Sequence, residues 1–229
     1  MPRRCLLRVL LVALLSLGVE GAEIALGGSH SCAALTDGKV KCWGWNYHAQ
    51  LGDGTTTTRS TPVQVSGITT ATSIALGFYH SCAVLTDGKV KCWGDNNNGQ
   101  LGDGSTTDSS TPVEVSGITT ATSIAMGSYH SCAVLTGGTV KCWGSNGYGE
   151  LGDGTTTEST TPVEVSGITT ATSIALGGLH SCALPPPTSP PPTTTSPAPL
   201  PQPESSATRY SVMTALVVTI IIQVQSIFT

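Results

Sequence analysis

"HSCAVLTDGKVKCWGDNNNGQLGDG" runs from His80 to Gly104, and nearly the same words stand at His30–Gly54 and at His130–Gly154. The period is 50 residues, and a fourth copy starts at His180 and breaks off after Cys182. Self-similarity at such an interval means one supersecondary unit per repeat, each burying its faces against the next. Around the quoted stretch, each unit reads as four short strands. "TSIALG" (Thr72–Gly77) puts Ile74 and Leu76 on one face. "SCAVL" (Ser81–Leu85) and "KVKCW" (Lys89–Trp93) flank a turn at Asp87-Gly88. "TPVEV" (Thr111–Val115) turns Val113 and Val115 inward and Glu114 outward, with Pro112 near the strand start, where a missing donor is harmless. Four short strands per repeat is propeller-blade arithmetic. A β-helix is the rival, but the repeat is long for one β-helical coil and contains an antiparallel hairpin. β-branched residues, Gly and Pro punctuate every window and exclude helical repeats. The expected fold is all-β: propeller-type blades of four antiparallel strands, with three full repeats and a partial fourth, an incomplete or open propeller.

The hairpin turn decides where the cysteines go. With Thr86-Asp87-Gly88 as a three-residue loop and Gly88 in the left-handed region, Cys82 falls opposite Cys92 in a non-hydrogen-bonded pair. A two-residue Asp-Gly turn is the rival register and would send the two side chains to opposite faces. Recurrence of the spacing favours the first, so disulfides are expected at Cys32–Cys42, Cys82–Cys92 and Cys132–Cys142, with Cys182 unpaired. Cysteines with nine residues between them across a hairpin do not have zinc-knuckle spacing, and neither a metal nor a cofactor is expected. His30, His80, His130 and His180 read as hydrogen-bonded residues at equivalent blade positions. With no carboxylate at fixed offset they form no catalytic constellation, so the chain is not expected to be an enzyme. Trp43, Trp93 and Trp143 read as core. "GQLGDG" (Gly99–Gly104) has no following Lys or helix, which excludes a phosphate loop.

The ends have a different composition. Arg3, Arg4 and Arg8 precede an apolar run at Leu10–Leu17, and residues 1–21 read as a signal peptide. Without them the chain holds 7 basic against 13 acidic residues, and no basic cluster, so no nucleic-acid partner is expected. The repeat array occupies 22–184. Residues 185–210 are a Pro/Ser/Thr-rich stalk, expected to be extended. Residues 211–229 form a hydrophobic anchor segment, with "SVMTALVVTIIIQVQSIF" at Ser211–Phe228. Small residues upstream (Ser205, Ser206, Ala207) suit a glycosylphosphatidylinositol signal; a transmembrane span and an unattached tail are the alternatives. Together with the paired cysteines, these cues point to the secretory pathway and to a cell-surface protein, membrane-anchored or extracellular.

The pattern LGxxHSCAxLTDGxVxCWGxNxxGQLGDG, which stands here at Leu76–Gly104 and is followed by Thr111-Pro112-Val113, resembles the regulator-of-chromosome-condensation repeat family. In particular it looks like an exported, cysteine-bearing variant, and the likeness runs from about Ile24 to Ala183. The resemblance implies four-stranded blades. The family's nuclear prototype catalyses nucleotide exchange on a small GTPase and binds chromatin, while other members bind proteins. The motif carries architecture only, so no exchange residue transfers. The expected function is an extracellular or cell-surface protein-binding repeat module that takes a protein or glycan ligand at its blade-tip loops. Trp45, Tyr47, Phe78, Tyr79, Tyr129 and Tyr148 are the candidate binding surface, being aromatics suited to anchor an interface. The alternatives are a guanine-nucleotide exchange or regulatory factor for a small GTPase, and a structural surface spacer. An array this short leaves open edges. They are explained by a shortened sequence, by self-association that closes the ring, or by a tolerated open arc.

Overall fold

The computed structural model describes residues 22–184. The segments read as signal peptide, stalk and anchor (1–21, 185–210 and 211–229) lie outside the described residues. Three four-stranded antiparallel sheets follow one another: β1 (Glu23–Leu26), β2 (His30–Ala34), β3 (Val40–Gly44) and β4 (Arg59–Gln64); β5 (Ala71–Leu76), β6 (His80–Leu85), β7 (Val90–Gly94) and β8 (Ser109–Glu114); β9 (Ala121–Met126), β10 (His130–Leu135), β11 (Val140–Gly144) and β12 (Ser159–Glu164). A fourth unit is described as a hairpin only, β13 (Ser173–Leu176) with β14 (Ser181–Leu184). The fold is therefore all-β, three full blades and a partial, open fourth.

Within each blade the register starts at the hairpin turn. In the second blade Leu85 N donates to Lys89 O and Gly88 N to Leu85 O, both at 2.9 Å. Gly88 has φ +76°, and a Cβ there would also meet the Thr119 carbonyl at 2.6 Å, so the position requires glycine on both counts. The register then sets Cys82 opposite Cys92 and Ser81 opposite Trp93. The same pairing holds in the first and third blades, and disulfides join Cys32–Cys42, Cys82–Cys92 and Cys132–Cys142 across Cα separations of 4.0–4.1 Å. Cys182 is free and exposed.

The cores lie between blades, not within them. Cys32, Cys42, Val40, Leu51 and Val65 of the first blade pack with Ile74, Ala83 and Trp93 of the second. One repeat later, the Cys82–Cys92 disulfide, Val90, Leu101 and Val115 pack with Ile124, Ala133 and Trp143. The third cluster joins Cys132, Cys142, Val140 and Leu151 to Ile174 and Ala183, and no tryptophan is in it. Trp93 and Trp143 are fully buried, whereas Trp43, whose blade has none before it among the described residues, is only half-buried.

Polar contacts repeat across the same interfaces. Ser81 Oγ and Trp93 Nε1 both donate to Gln50 O at 2.9 Å, and Ser131 and Trp143 do the same to Gln100 O at 3.1 and 2.9 Å. Because Ser81 spends its proton on Gln50, its oxygen accepts from His30 Nε2, at 2.8 Å. His80 and His130 stand in the same way to Ser131 and Ser181, at 2.9 Å each. These rings are therefore neutral and protonated at Nε2, which leaves Nδ1 buried without a partner. Gly77 lies against this face of His80: a Cβ on it would stand 2.2 Å from the ring, so only glycine admits the histidine. Burial holds the His30 pKa at about 4 and that of His80 at about 3, with the charges of His30 and His130 adding to the effect at His80. His180 is exposed.

Two outcomes are expected. Trp93→Ala should lower the unfolding free energy by about 3–5 kcal/mol in urea titration, and Trp43→Ala by clearly less. A neutral histidine whose folded pKa lies below its unfolded value contributes in full above the ordinary value of 6.5, and that contribution is lost as pH falls toward 4 and 3. His80→Gln, which keeps a donor for Ser131, should therefore flatten the loss of stability between pH 6.5 and 3 seen in pH-dependent melts.

Candidate functional site

Alternation of strand direction gathers the β3–β4, β5–β6, β7–β8, β9–β10 and β11–β12 loops at one end of the blades. Each long loop after a Trp-Gly pair is pinned by one buried asparagine. Asn96 Oδ1 accepts from Leu101 N at 2.9 Å, and Nδ2 donates to Ser105 O and Thr107 O at 3.1 Å each. Asn46 and Asn146 make the corresponding bonds. The sequence reading singled out none of these, although the Asn recurs two residues after each Trp-Gly.

On this frame, five of the six proposed surface aromatics come together. Trp45 stacks with Tyr47 at 6.0 Å between ring centroids and tilts against Tyr79 of the next blade at 5.1 Å. Phe78 meets Tyr79 edge-on at 4.5 Å and reaches Tyr129 of the third blade at 6.3 Å. Tyr148 has no part in these contacts and stands 79% exposed. Trp45 is half-buried, with Tyr79 against it.

His48 completes the cluster and was missed. It stacks on Tyr79 at 4.6 Å and meets Trp45 edge-on at 5.4 Å. The signal for it was present, since it is the one histidine off the 50-residue period. Its Nδ1 lies 3.8 Å from Asp95 and 4.0 Å from Asp108, and the three side chains offer donor atoms within 4.8 Å of one another. Asp95 is nearly buried, and its two oxygens are already taken, by Asn97 Nδ2 at 2.5 Å and Gln100 Nε2 at 2.6 Å. Asp108 accepts from Asn96 N at 2.8 Å. The carboxylates are thus committed to holding loops, and the arrangement is one of packing and hydrogen bonding, not of a ligand sphere. Chemically, the face offers contiguous aromatic area with the Asp108 carboxylate exposed beside it, suited to a protein surface.

The Regulator of chromosome condensation (RCC1) repeat matches the chain over residues 22–50, 71–100 and 121–150 in one description and over 37–84, 87–134 and 137–184 in another. No curated protein sequence matches. Among solved structures, human WBSCR16 is 25% identical with a TM-score of 0.65, over 72% of this chain and 46% of that one. Yeast RCC1 (Prp20), solved with Kap60 bound, is 25% identical with a TM-score of 0.62, over 69% and 40%. Prp20p from Saccharomyces cerevisiae, described with its binding properties to Gsp1p and histones, shares the fold at 24% identity and a TM-score of 0.61, over 70% and 42%. This chain spans less than half the length of each. The expectation that it is no enzyme agrees with these likenesses, which include proteins described by what they bind.

The same likenesses correct the expectation of an extracellular or cell-surface binding module. They overturn its secretory-pathway location and its description as a secreted, cell-surface, membrane-attached or GPI-anchored protein, because yeast Prp20 is described with Kap60 bound and by its binding to Gsp1p and histones. The physical reason is that the cues for export lay in terminal composition, outside the described residues, and in cysteine pairing. In the blades those cysteines staple a hairpin and fill an interblade core, a structural role that does not by itself name a compartment. No helix among the described residues is long and apolar enough to cross a membrane.

Asp95→Ala should leave the buried Gln100 amide without its acceptor and cost about 1–3 kcal/mol of stability in urea titration. Asp108→Ala, at an exposed carboxylate, should cost less.

Proposed function

Since the chain belongs to the regulator of chromosome condensation repeat family, we propose that it binds a protein partner through its aromatic loop face and regulates a small GTPase, as an exchange or regulatory factor. The observation that carries this reading is the continuous contact of Trp45, Tyr47, His48, Phe78, Tyr79 and Tyr129 across three blades, on the end where the loops project. Aromatic anchors that are preordered by mutual stacking lose little side-chain freedom on docking. The family's exchange activity on a small GTPase supports the choice of partner, as does the relative described with its binding to Gsp1p. The exposed Asp108 beside the cluster and the net charge of −4 favour a basic patch on that partner.

The test is release of a fluorescent guanosine diphosphate from a panel of purified small GTPases. Acceleration by the chain is expected for one of them, with a loss of about tenfold or more in the Trp45→Ala, Tyr79→Ala double variant at unchanged circular dichroism. If the folded chain neither binds nor accelerates any GTPase of the panel, the reading fails.

A further inference from the structure

The partial fourth blade repeats the geometry of its predecessors up to the point where a third strand would be added. In the second and third blades, that strand delivers three things at once. Its cysteine meets the one on the neighbouring strand, as Cys92 meets Cys82 and Cys142 meets Cys132. Its tryptophan enters the core behind, where Trp93 lies against Gly52 and Val65, and Trp143 against Gly102 and Val115. Its indole N–H becomes the second donor to a carbonyl, Gln50 O or Gln100 O.

At the fourth unit all three counterparts are in place. Glu150 O accepts from Ser181 Oγ at 2.8 Å, in the position of Gln50 O and Gln100 O. Gly152, Val165, Leu151 and Val140 line a cavity of about 400 Å³, beside Ser181 and Cys182, and a Cβ on Gly152 would touch only Val165, where Gly52 and Gly102 face an indole. Cys182 is a free, exposed thiol at the site equivalent to Cys32, Cys82 and Cys132. Among the described residues, β14 pairs with β13 alone, so the peptide groups of Ser181 and Ala183 on its other edge are open for strand addition.

We propose that this half-blade is an acceptor site for an extended strand of another polypeptide, of the pattern Val-x-Cys-Trp-Gly, which adds antiparallel to β14, seats its tryptophan in the Gly152–Val165 cavity and sets its cysteine opposite Cys182. The segment 185–229 holds neither Cys nor Trp and so does not contain this pattern. A folded second copy cannot supply it either, because β3, β7 and β11 are each paired on both edges and tied by a disulfide. The inference rests on the trailing end of the array and is independent of the GTPase reading.

The test uses the full chain and the peptide Thr-Val-Lys-Cys-Trp-Gly, the sequence of Thr139–Gly144, with its cysteine as a 2-thiopyridyl mixed disulfide. The Cys182 thiolate attacks the peptide sulfur, the pyridyl disulfide breaks, 2-thiopyridone leaves with the electron pair and is protonated, and one new disulfide forms. Release of the thione gives the rate, and intact mass gives the adduct. Capture should be about tenfold faster or more than for the same peptide with Lys and Cys exchanged, or with Ala in place of Trp. Equal rates for the three peptides would show a merely accessible thiol and overturn the proposal. A Cys182→Ser chain should still bind the fluorophore-labelled peptide, with Ser in place of Cys, saturably in anisotropy, and flat titrations would overturn it as well.

Discussion

One backbone carbonyl per blade organises the array. Gln50 O takes two donors from the following blade, an indole and a hydroxyl, and the hydroxyl in turn orders a histidine from the blade before. A buried indole N–H and a buried hydroxyl both demand partners, and one oxygen with two lone pairs satisfies both. Around that point the apolar residues close, with the disulfide of one hairpin under the tryptophan of the next. Sheets that hold their core between them, and not within, cannot be stable singly, which is why the repeat is the unit of sequence and the pair of repeats the unit of stability.

Much of this was legible in the letters. Alternation in "TSIALG", the Asp-Gly turn and the spacing of Cys82 and Cys92 fixed strands and register, because a strand has period two and a three-residue turn admits one pairing. The blade-to-blade chemistry was less legible. Within "WGDNNNGQLG" alone Asn96, Asn97 and Asn98 are alike by type, and only recurrence as Asn46 and Asn146 marks the first, which is buried with its amide on the loop carbonyls. The partner of Trp93 was hidden for another reason: it is a backbone oxygen 43 residues earlier, and backbone leaves no mark on composition.

The aromatic face shows where a repeat departs from itself. Positions 45, 48, 78 and 79 carry Trp, His, Phe and Tyr, where the equivalent positions elsewhere carry mostly small or polar residues. Such departures fall on loops held by other residues: Trp45 and His48 on the loop pinned by Asn46, Phe78 and Tyr79 on the β5–β6 turn closed by the bond from Gly77 N to His80 O. Sequence comparison of the repeats found the aromatics but not their mutual contact. Contact depends on the reach from one blade's loop to the next, as in Trp45 to Tyr79.

The histidine bonds all point one way along the chain: His30 to Ser81, His80 to Ser131, His130 to Ser181. An array wired in this manner has a direction, and its two flanks differ in kind. The leading flank offers a tryptophan with no blade behind it, and the trailing flank offers a histidine with no serine ahead of it among the described residues. Among the described residues the second and third blades are wired on both sides, so local opening starts at the first blade's outer face or at the β13–β14 hairpin and reaches those two last.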